Sequence, residues 1–373
     1  MPRVAAKMDN TTGAILDPHR IDQLEHHLDQ LANDPSLPTD DLLFDIVGLR
    51  VTNINILPLI PRFLPKIIDI LRRYQCDPHA LCNLAIILVG PLNFHQVMSY
   101  ASQEALIQAL RSPAPSANLL AMTIVAKAAK SPNDAAVLAA MKDVVTSFVT
   151  RWLSAPEVEI GGMGTQVLGD LLMIDSPQWP IERPGESDES LREPARVNSN
   201  ALGQGFVWRR IFYDRDVYDL ILSLCSNGPH QSAKGGLSPY QLSLAQGRLL
   251  HLLPRLSVYH LDVVTKTIFP DIHRRYMNSE APGGLLFFAA LHMVDLQDTL
   301  MNSLLVEFFE RLFSIQLDTP TSTFKMDTLQ KLYRAVIQKD SLFEDRLLSL
   351  PDRIIPQEEA DALRQFIHDV ATD

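Results

Sequence analysis

Met141-Lys142-Asp143-Val144-Val145-Thr146-Ser147-Phe148-Val149-Thr150-Arg151-Trp152-Leu153, read with Val137 just before it, is the stretch that decides the fold class. Val137, Met141, Val144, Val145, Phe148 and Trp152 fall at offsets of 0, 4, 7, 8, 11 and 15, which gathers them on one face of a helix. Lys142, Asp143 and Ser147 are then turned elsewhere. An apolar face of that length needs a second helix to cover it.

The same periodicity returns at Ile21, Leu24, Leu28 and Leu31, at Leu300, Leu304, Phe308 and Leu312, and at Leu329, Leu332, Tyr333, Val336 and Ile337. Alternation of period two is scarce, so helix is predicted from end to end. Start signals agree. Asp17-Pro18, Asp77-Pro78, Ser131-Pro132 and Ser238-Pro239 each set a capping oxygen before a proline whose fixed φ suits the first helical position.

The helices also recur at intervals. Leu71-Arg72-Arg73, Leu110-Arg111-Ser112-Pro113 and Leu153-Ser154-Ala155-Pro156 each close an apolar helix, followed by a turn and a second helix at Leu81 to Leu88, Leu119 to Val125 and Gln166 to Leu172. The spacing of roughly 40 residues is that of HEAT and armadillo units. The reading is therefore an all-α, HEAT/armadillo-like α-solenoid of stacked antiparallel helix pairs, one array over 1–373. Ala155 to Gly161 reads as the turn of one repeat and Pro254, after Leu252-Leu253, as part of another repeat's first helix. Ser176 to Asn200 carries Pro177, Pro180, Pro184 and Pro194 among acidic residues and no apolar period, and reads as a flexible inter-helix loop; Gly228 to Gly236 is a shorter break.

Composition narrows the functions. Lys and Arg number 33 against 44 Asp and Glu, a net charge of −11, which repels phosphate backbones and disfavours nucleic acid as a partner. Cys76, Cys82 and Cys225 cannot all pair and lack CxxC spacing, which points to buried thiols in a reducing compartment and away from structural zinc. Met1 to Gly13 has no apolar core of signal-peptide length, and the apolar runs Leu84 to Val89 and Leu285 to Leu291 are shorter than a membrane span. The expectation is a soluble protein of the cytoplasm, with the nucleus as a second location.

Signals for catalysis or cofactors do not assemble. Gly161-Gly162-Met163-Gly164-Thr165 lacks the lysine and preceding strand of a phosphate loop, so its glycines read as shaping the turn between paired helices. The eleven histidines form no ligand spacing: His26-His27 are adjacent and His251 and His260 stand nine apart. No cofactor, no metal and no catalytic residue is expected. The doubled arginines Arg72-Arg73, Arg209-Arg210 and Arg274-Arg275 read either as a cationic ladder for a partner's carboxylates or as helix-end and intramolecular ion-pair groups, such as Arg209 or Arg210 with Asp214. Phe206 to Tyr218 is the densest aromatic stretch. Phe206, Ile211 and Phe212 are assigned to the core, and Trp208, Arg209 and Tyr213 are assigned as contact candidates.

Trp152-Leu153-Ser154 through Glu157-Val158 to Val167-Leu168-Gly169-Asp170-Leu171-Leu172, followed by Gly203-Gln204-Gly205 and Trp208-Arg209-Arg210-Ile211-Phe212, resembles the proteasome non-ATPase regulatory subunit five family, whose fungal branch is named for a role in DNA mismatch repair. The resemblance extends over most of the chain and is carried by helix patterns without a chemical signature. It implies a C-shaped HEAT solenoid and an assembly chaperone of the proteasome regulatory particle. Such a chaperone binds the C-terminal helical domain of a base ATPase subunit, masks its terminus, and leaves before the mature particle forms. Before that the chain is expected to be a monomer, with no membrane partner. An adaptor of the same fold in mismatch repair or nuclear transport is the alternative. No family contact aligns residue by residue. The contact candidates are instead polar or protruding positions on the predicted second helices, Asn118, Met122, Gln166, Asp170 and Arg248, together with Trp208 and Arg209.

Overall fold

The computed structural model describes residues 17–177, 202–227, 236–277, 283–340, 342–349 and 357–372. Beyond Pro177, the loop expected at Ser176 to Asn200 lies outside the described residues, as does all of the Gly228 to Gly236 break except Gly236. The chain divides into two compact units, Met1–Lys127 and Ala128–Asp373. Among the described residues every regular element is a helix, and many helices pack against their neighbours in sequence, an all-α arrangement consistent with a helical repeat.

In the first unit, α1 (Pro18–Asn33) begins as the sequence predicts: the Asp17 carboxylate accepts from the His19 N–H, and Pro18 takes the first position. Ile21, Leu24, Leu28 and Leu31 are all buried. They face α3 (Leu59–Leu71), which also packs on α4 (His79–Val89), while α2 (Asp41–Arg50) packs on α1 and α4. Outside this core, Arg62 of α3 pairs with Asp22 and Glu25, and Lys66 with Glu25 and Asp29. Hydrogen bonds from Arg62 and then Lys66 hold the Glu25 carboxyl below its ordinary range. Such exposed pairs contribute roughly 0–1 kcal/mol each, so the apolar stripe decides the packing. Helices α5 (Phe94–Met98), α6 (Gln103–Arg111) and α7 (Pro115–Ala128) follow.

The second unit contains the deciding stretch. Helix α8 (Pro132–Ala140) and helix α9 (Lys142–Ser154) are separate, because Met141 leaves the helical region at φ −84° and ψ 70°. The single helix expected from Val137 to Trp152 is therefore corrected. Val144, Val145, Phe148 and Trp152 share the buried face of α9, whereas Val137 belongs to α8 and is 48% exposed. Ser147, expected outside, is buried. Trp152 is fully buried, and its Nε1 donates to Thr165 Oγ1 at 2.9 Å on α10 (Val158–Ile174).

Helix α10 overturns the assignment of Gly161, Gly162 and Gly164 to a turn, since they lie within it, together with Gly169, which was read as helical. Three of them permit close approach. A Cβ at 161 would stand 1.8 Å from Arg248 Nε, one at 164 2.6 Å from Trp152 Cδ1, and one at 169 2.3 Å from Arg255 Nη1. After α11 (Phe206–Phe212) and α12 (Arg215–Cys225), α13 (Pro239–Thr265) opens with a capping box between Ser238 and Gln241 and packs on α9, α10 and the later helix Thr299–Leu317. Pro254, read as part of a repeat's first helix, sits inside α13, which kinks instead at His260 (φ −147°, ψ 73°).

The remainder of the unit comprises α14 (Pro270–Met277), α15 (Leu285–Phe288) with a π-turn at Ala289–Met293, α16 (Thr299–Leu317), α17 (Thr323–Lys339), α18 (Leu342–Leu348) and α19 (Gln357–Thr372). On α16 the predicted stripe is displaced. Leu300 is exposed, and Met301, Leu305, Phe308, Phe309, Leu312 and Phe313 are buried, because α16 packs not on one helix but on α13, α18 and α19. The stripe on α17 holds at Leu329, Leu332, Tyr333 and Val336. Cys82 and Cys225 are buried free thiols, whereas Cys76, also expected inside, is exposed. No helix of the described residues is long and apolar enough to cross a membrane.

Candidate protein-contact face

Helices α10, α13 and α16 lie side by side in the second unit, with α13 in the middle. A cleft of about 460 Å³ runs across them, lined by Thr165 and Gln166 from α10, His251, Leu252, Pro254 and Arg255 from α13, and Arg311 and Ile315 from α16. Its polar groups are organised from below. Because residue 169 has no side chain, Arg255 crosses α10 and donates through Nη2 to Asp170 Oδ1 at 2.6 Å. Gln166 Nε2, one turn earlier, donates to the same carboxylate at 3.0 and 3.2 Å. Four-residue spacing on a helix puts Gln166 and Asp170 on one face, and His251 and Arg255 likewise.

Arg311 closes the other side, donating through Nη1 to His251 Nδ1 at 2.8 Å. Burial first, and the Arg311 charge second, push the His251 pKa below its ordinary value. The ring therefore stays neutral and can accept. Among the described residues no carboxylate lies within ion-pair distance of Arg311, whereas Arg255 is matched by Asp170. The cleft thus presents one unmatched guanidinium, an amide and a half-exposed ion pair, a donor set suited to carboxylates on another surface.

The sequence-predicted contact residues separate into two groups. Gln166 and Asp170 stand together on this face, and Arg209 is exposed on α11. Asn118, Met122 and Arg248, expected as polar or protruding positions, and Trp208, expected as a contact outside the second helices, are buried and are corrected accordingly. Asn118 Nδ2 donates to the carbonyls of Ala109, Leu110 and Ser112. Met122 fills the core of the first unit. Trp208 Nε1 donates to the Leu172 carbonyl at 2.8 Å, with its ring stacked on Phe212 and edge-on to His260. Arg248 donates to the carbonyls of Trp152, Leu153 and Glu157. Long polar side chains on a helix can thus be consumed by closing a neighbouring helix end, which periodicity does not reveal.

The arginine doublets follow the intramolecular reading in part. Arg73 donates to Ala32 O and Asp69, Arg210 to Ala139 O and Asp214, and Arg275 pairs with Asp219. Arg209 lies over the Phe206 ring at 5.5 Å, and Phe206, assigned to the core, is partly exposed beside the exposed Tyr213. These residues line a second, broader cleft of about 790 Å³. His251, Arg255 and Arg311 were missed as candidates. Their only sequence signal is the four-residue spacing of the first two, which becomes informative once α13 is known to lie between α10 and α16.

Among the described residues no group of three His, Cys, Asp or Glu side chains is placed to hold a metal ion. Compared with known families and proteins, the sequence matches no family model and no curated protein.

Proposed function

We propose that this chain is a non-catalytic protein-binding scaffold of HEAT-type helix pairs, and that it serves as an assembly chaperone of the proteasome regulatory particle. The observation that carries the protein-binding part is the cleft across α10, α13 and α16, where three helices that abut in space direct Gln166, Arg255 and Arg311 to one surface, with Asp170 bonded to the first two. Adjacent helix faces of this kind give repeat proteins broad binding surfaces for folded partners. The sequence resemblance of the Trp152 to Phe212 region supplies the partner: the C-terminal helical domain of a base ATPase subunit, met in the cytoplasm or nucleus.

The test is affinity purification of the tagged full-length chain from cells assembling proteasomes. Base ATPase subunits are expected to co-purify, and Arg311→Glu is expected to reduce their recovery at least tenfold, consistent with reversal of a contact charge. Recovery of no ATPase subunit overturns the chaperone assignment. Recovery unchanged by Arg311→Glu overturns the choice of face.

A further inference from the structure

In the first unit, α3, α4, α6 and α7 converge on a cavity of about 330 Å³, within the size range of small-molecule sites. Its walls are largely apolar and include the small side chains of Ala85, Ala105, Ala109 and Ala117 on the helices and of Ala101 and Ala114 between them. Deep in it, Cys82 is a buried thiol whose pKa is pushed up to about 11 by burial. Several of the polar side chains that line it are already engaged. Tyr74 Oη donates to Leu37 O at 3.0 Å, Cys76 Sγ to Ser36 O at 3.3 Å, and Gln108 Nε2 to Arg72 O at 3.5 Å. Arg72 also lines the cavity and is exposed, and among the described residues its guanidinium has no carboxylate within ion-pair distance, Glu104 being near enough only to feel its charge.

We infer that this cavity is a binding site for a small aliphatic carboxylate of the fatty-acid type, its alkyl chain against the alanine-lined walls and its carboxylate on Arg72. The chemistry of the walls selects this occupant. A peptide strand would bring amide N–H and C=O groups into a space whose helix backbones are already hydrogen-bonded, leaving them unpaired at a cost in binding. An alkyl chain brings none. A neutral hydrocarbon would leave the guanidinium unused, whereas a carboxylate gains a charge-assisted bond at the rim.

The experiment is calorimetric titration of the full-length protein with octanoate, decanoate and dodecanoate as probes, each below its micelle-forming concentration. Saturable binding is expected, tightening about fourfold per added methylene, the equivalent of about 0.8 kcal/mol per buried CH₂. Arg72→Gln is expected to weaken decanoate about tenfold, the loss of one hydrogen bond to a charged group, and to leave 1-decanol unchanged. Ala105→Leu and Ala109→Leu, each placing an isobutyl group in the cavity from a different turn of α6, are expected to abolish binding of both probes. Circular dichroism and the melting temperature confirm that at least one of the two retains the fold. Absence of saturable binding overturns the site. Binding that survives in a folded leucine variant overturns its location, and equal effects of Arg72→Gln on decanoate and decanol overturn the role of Arg72.

Discussion

At the end of α6, Asn118, a few positions along the same chain, turns back from α7 and donates to the carbonyls of Ala109, Leu110 and Ser112 at 2.8, 3.3 and 3.1 Å. At the end of α9 the equivalent task falls to Arg248, more than ninety positions away on α13, which donates to Trp152 O, Leu153 O and Glu157 O at 2.9, 3.1 and 3.0 Å. Apart from Glu157 O, which already accepts the Gly161 N–H as α10 begins, these are carbonyls that a helix C-terminus leaves over. The local cap fixes one turn. The remote cap also fixes how α13 lies against α9 and α10, and it brings a positive charge to the negative end of a helix. Burial pulls the Arg248 pKa down, yet an arginine there remains charged. The two junctions should therefore respond very differently to damage.

The largest effect is expected where the remote junction meets the core. Trp152 is fully buried, donates to Thr165, and lies against Gly164. Trp152→Ala should cost about 3–5 kcal/mol, read as a lower urea midpoint for the second unit. A neutral result would mean that the α9–α10 pair does not depend on this side chain. Arg248→Ala should follow at about 3 kcal/mol, since it leaves buried carbonyls without a donor. Gly161 adds a sharper test. Gly161→Ala alone should destabilise by about 1–3 kcal/mol because its methyl displaces the guanidinium. In the Arg248→Ala background the same change should stabilise by about 0.5–1 kcal/mol through helix propensity. Failure of the sign to reverse would show that Gly161 is not there to admit Arg248.

Neither cap titrates near neutral pH, so acid sensitivity in the second unit should arise elsewhere, and His273 is the group to watch. It is buried, hydrogen-bonded through Nε2 to Tyr218 Oη at 2.6 Å, and has its pKa pushed down to about 4 by burial and, secondarily, by His292. The unfolded chain, with an ordinary histidine value near 6.5, binds the proton first. Stability is thus full above pH 6.5 and falls as the pH drops towards 4, by about 2 kcal/mol at pH 5. His273→Phe should remove its share of that slope and leave the share of His292, whose pKa burial also pushes down to about 4; a slope unchanged in the variant would assign it to other groups.

The contrast between the caps also explains what could be read from the sequence. Helix starts depend on neighbours, so Asp17-Pro18 and Ser238-Pro239 were legible together with the stripes of α1 and α17. The break at Met141 was not, because one residue's ψ interrupts a periodicity that Val137 continues by coincidence. Gly161 and Gly164 of α10 look like turn residues until Arg248 and Trp152 are seen lying across them. At the candidate face, Gln166 and Asp170 were legible as a polar pair, whereas His251, Arg255 and Arg311 join them only through the packing of three helices.

Asn118→Ala is the smallest of these perturbations and the one that decides whether the comparison is about distance or about burial. Asn118 is as buried as Arg248 and serves the same number of carbonyls. If burial alone set the cost, the two alanine variants should lose similar stability. A neutral amide contributes weaker bonds than a guanidinium, however, and its loss disturbs only the turn between α6 and α7. The expected cost is about 1–2 kcal/mol, measured on the first unit's transition, with the second unit's transition unmoved. A loss equal to that of Arg248→Ala would place the energy in burial and leave the long-range connection of α13 without a special role.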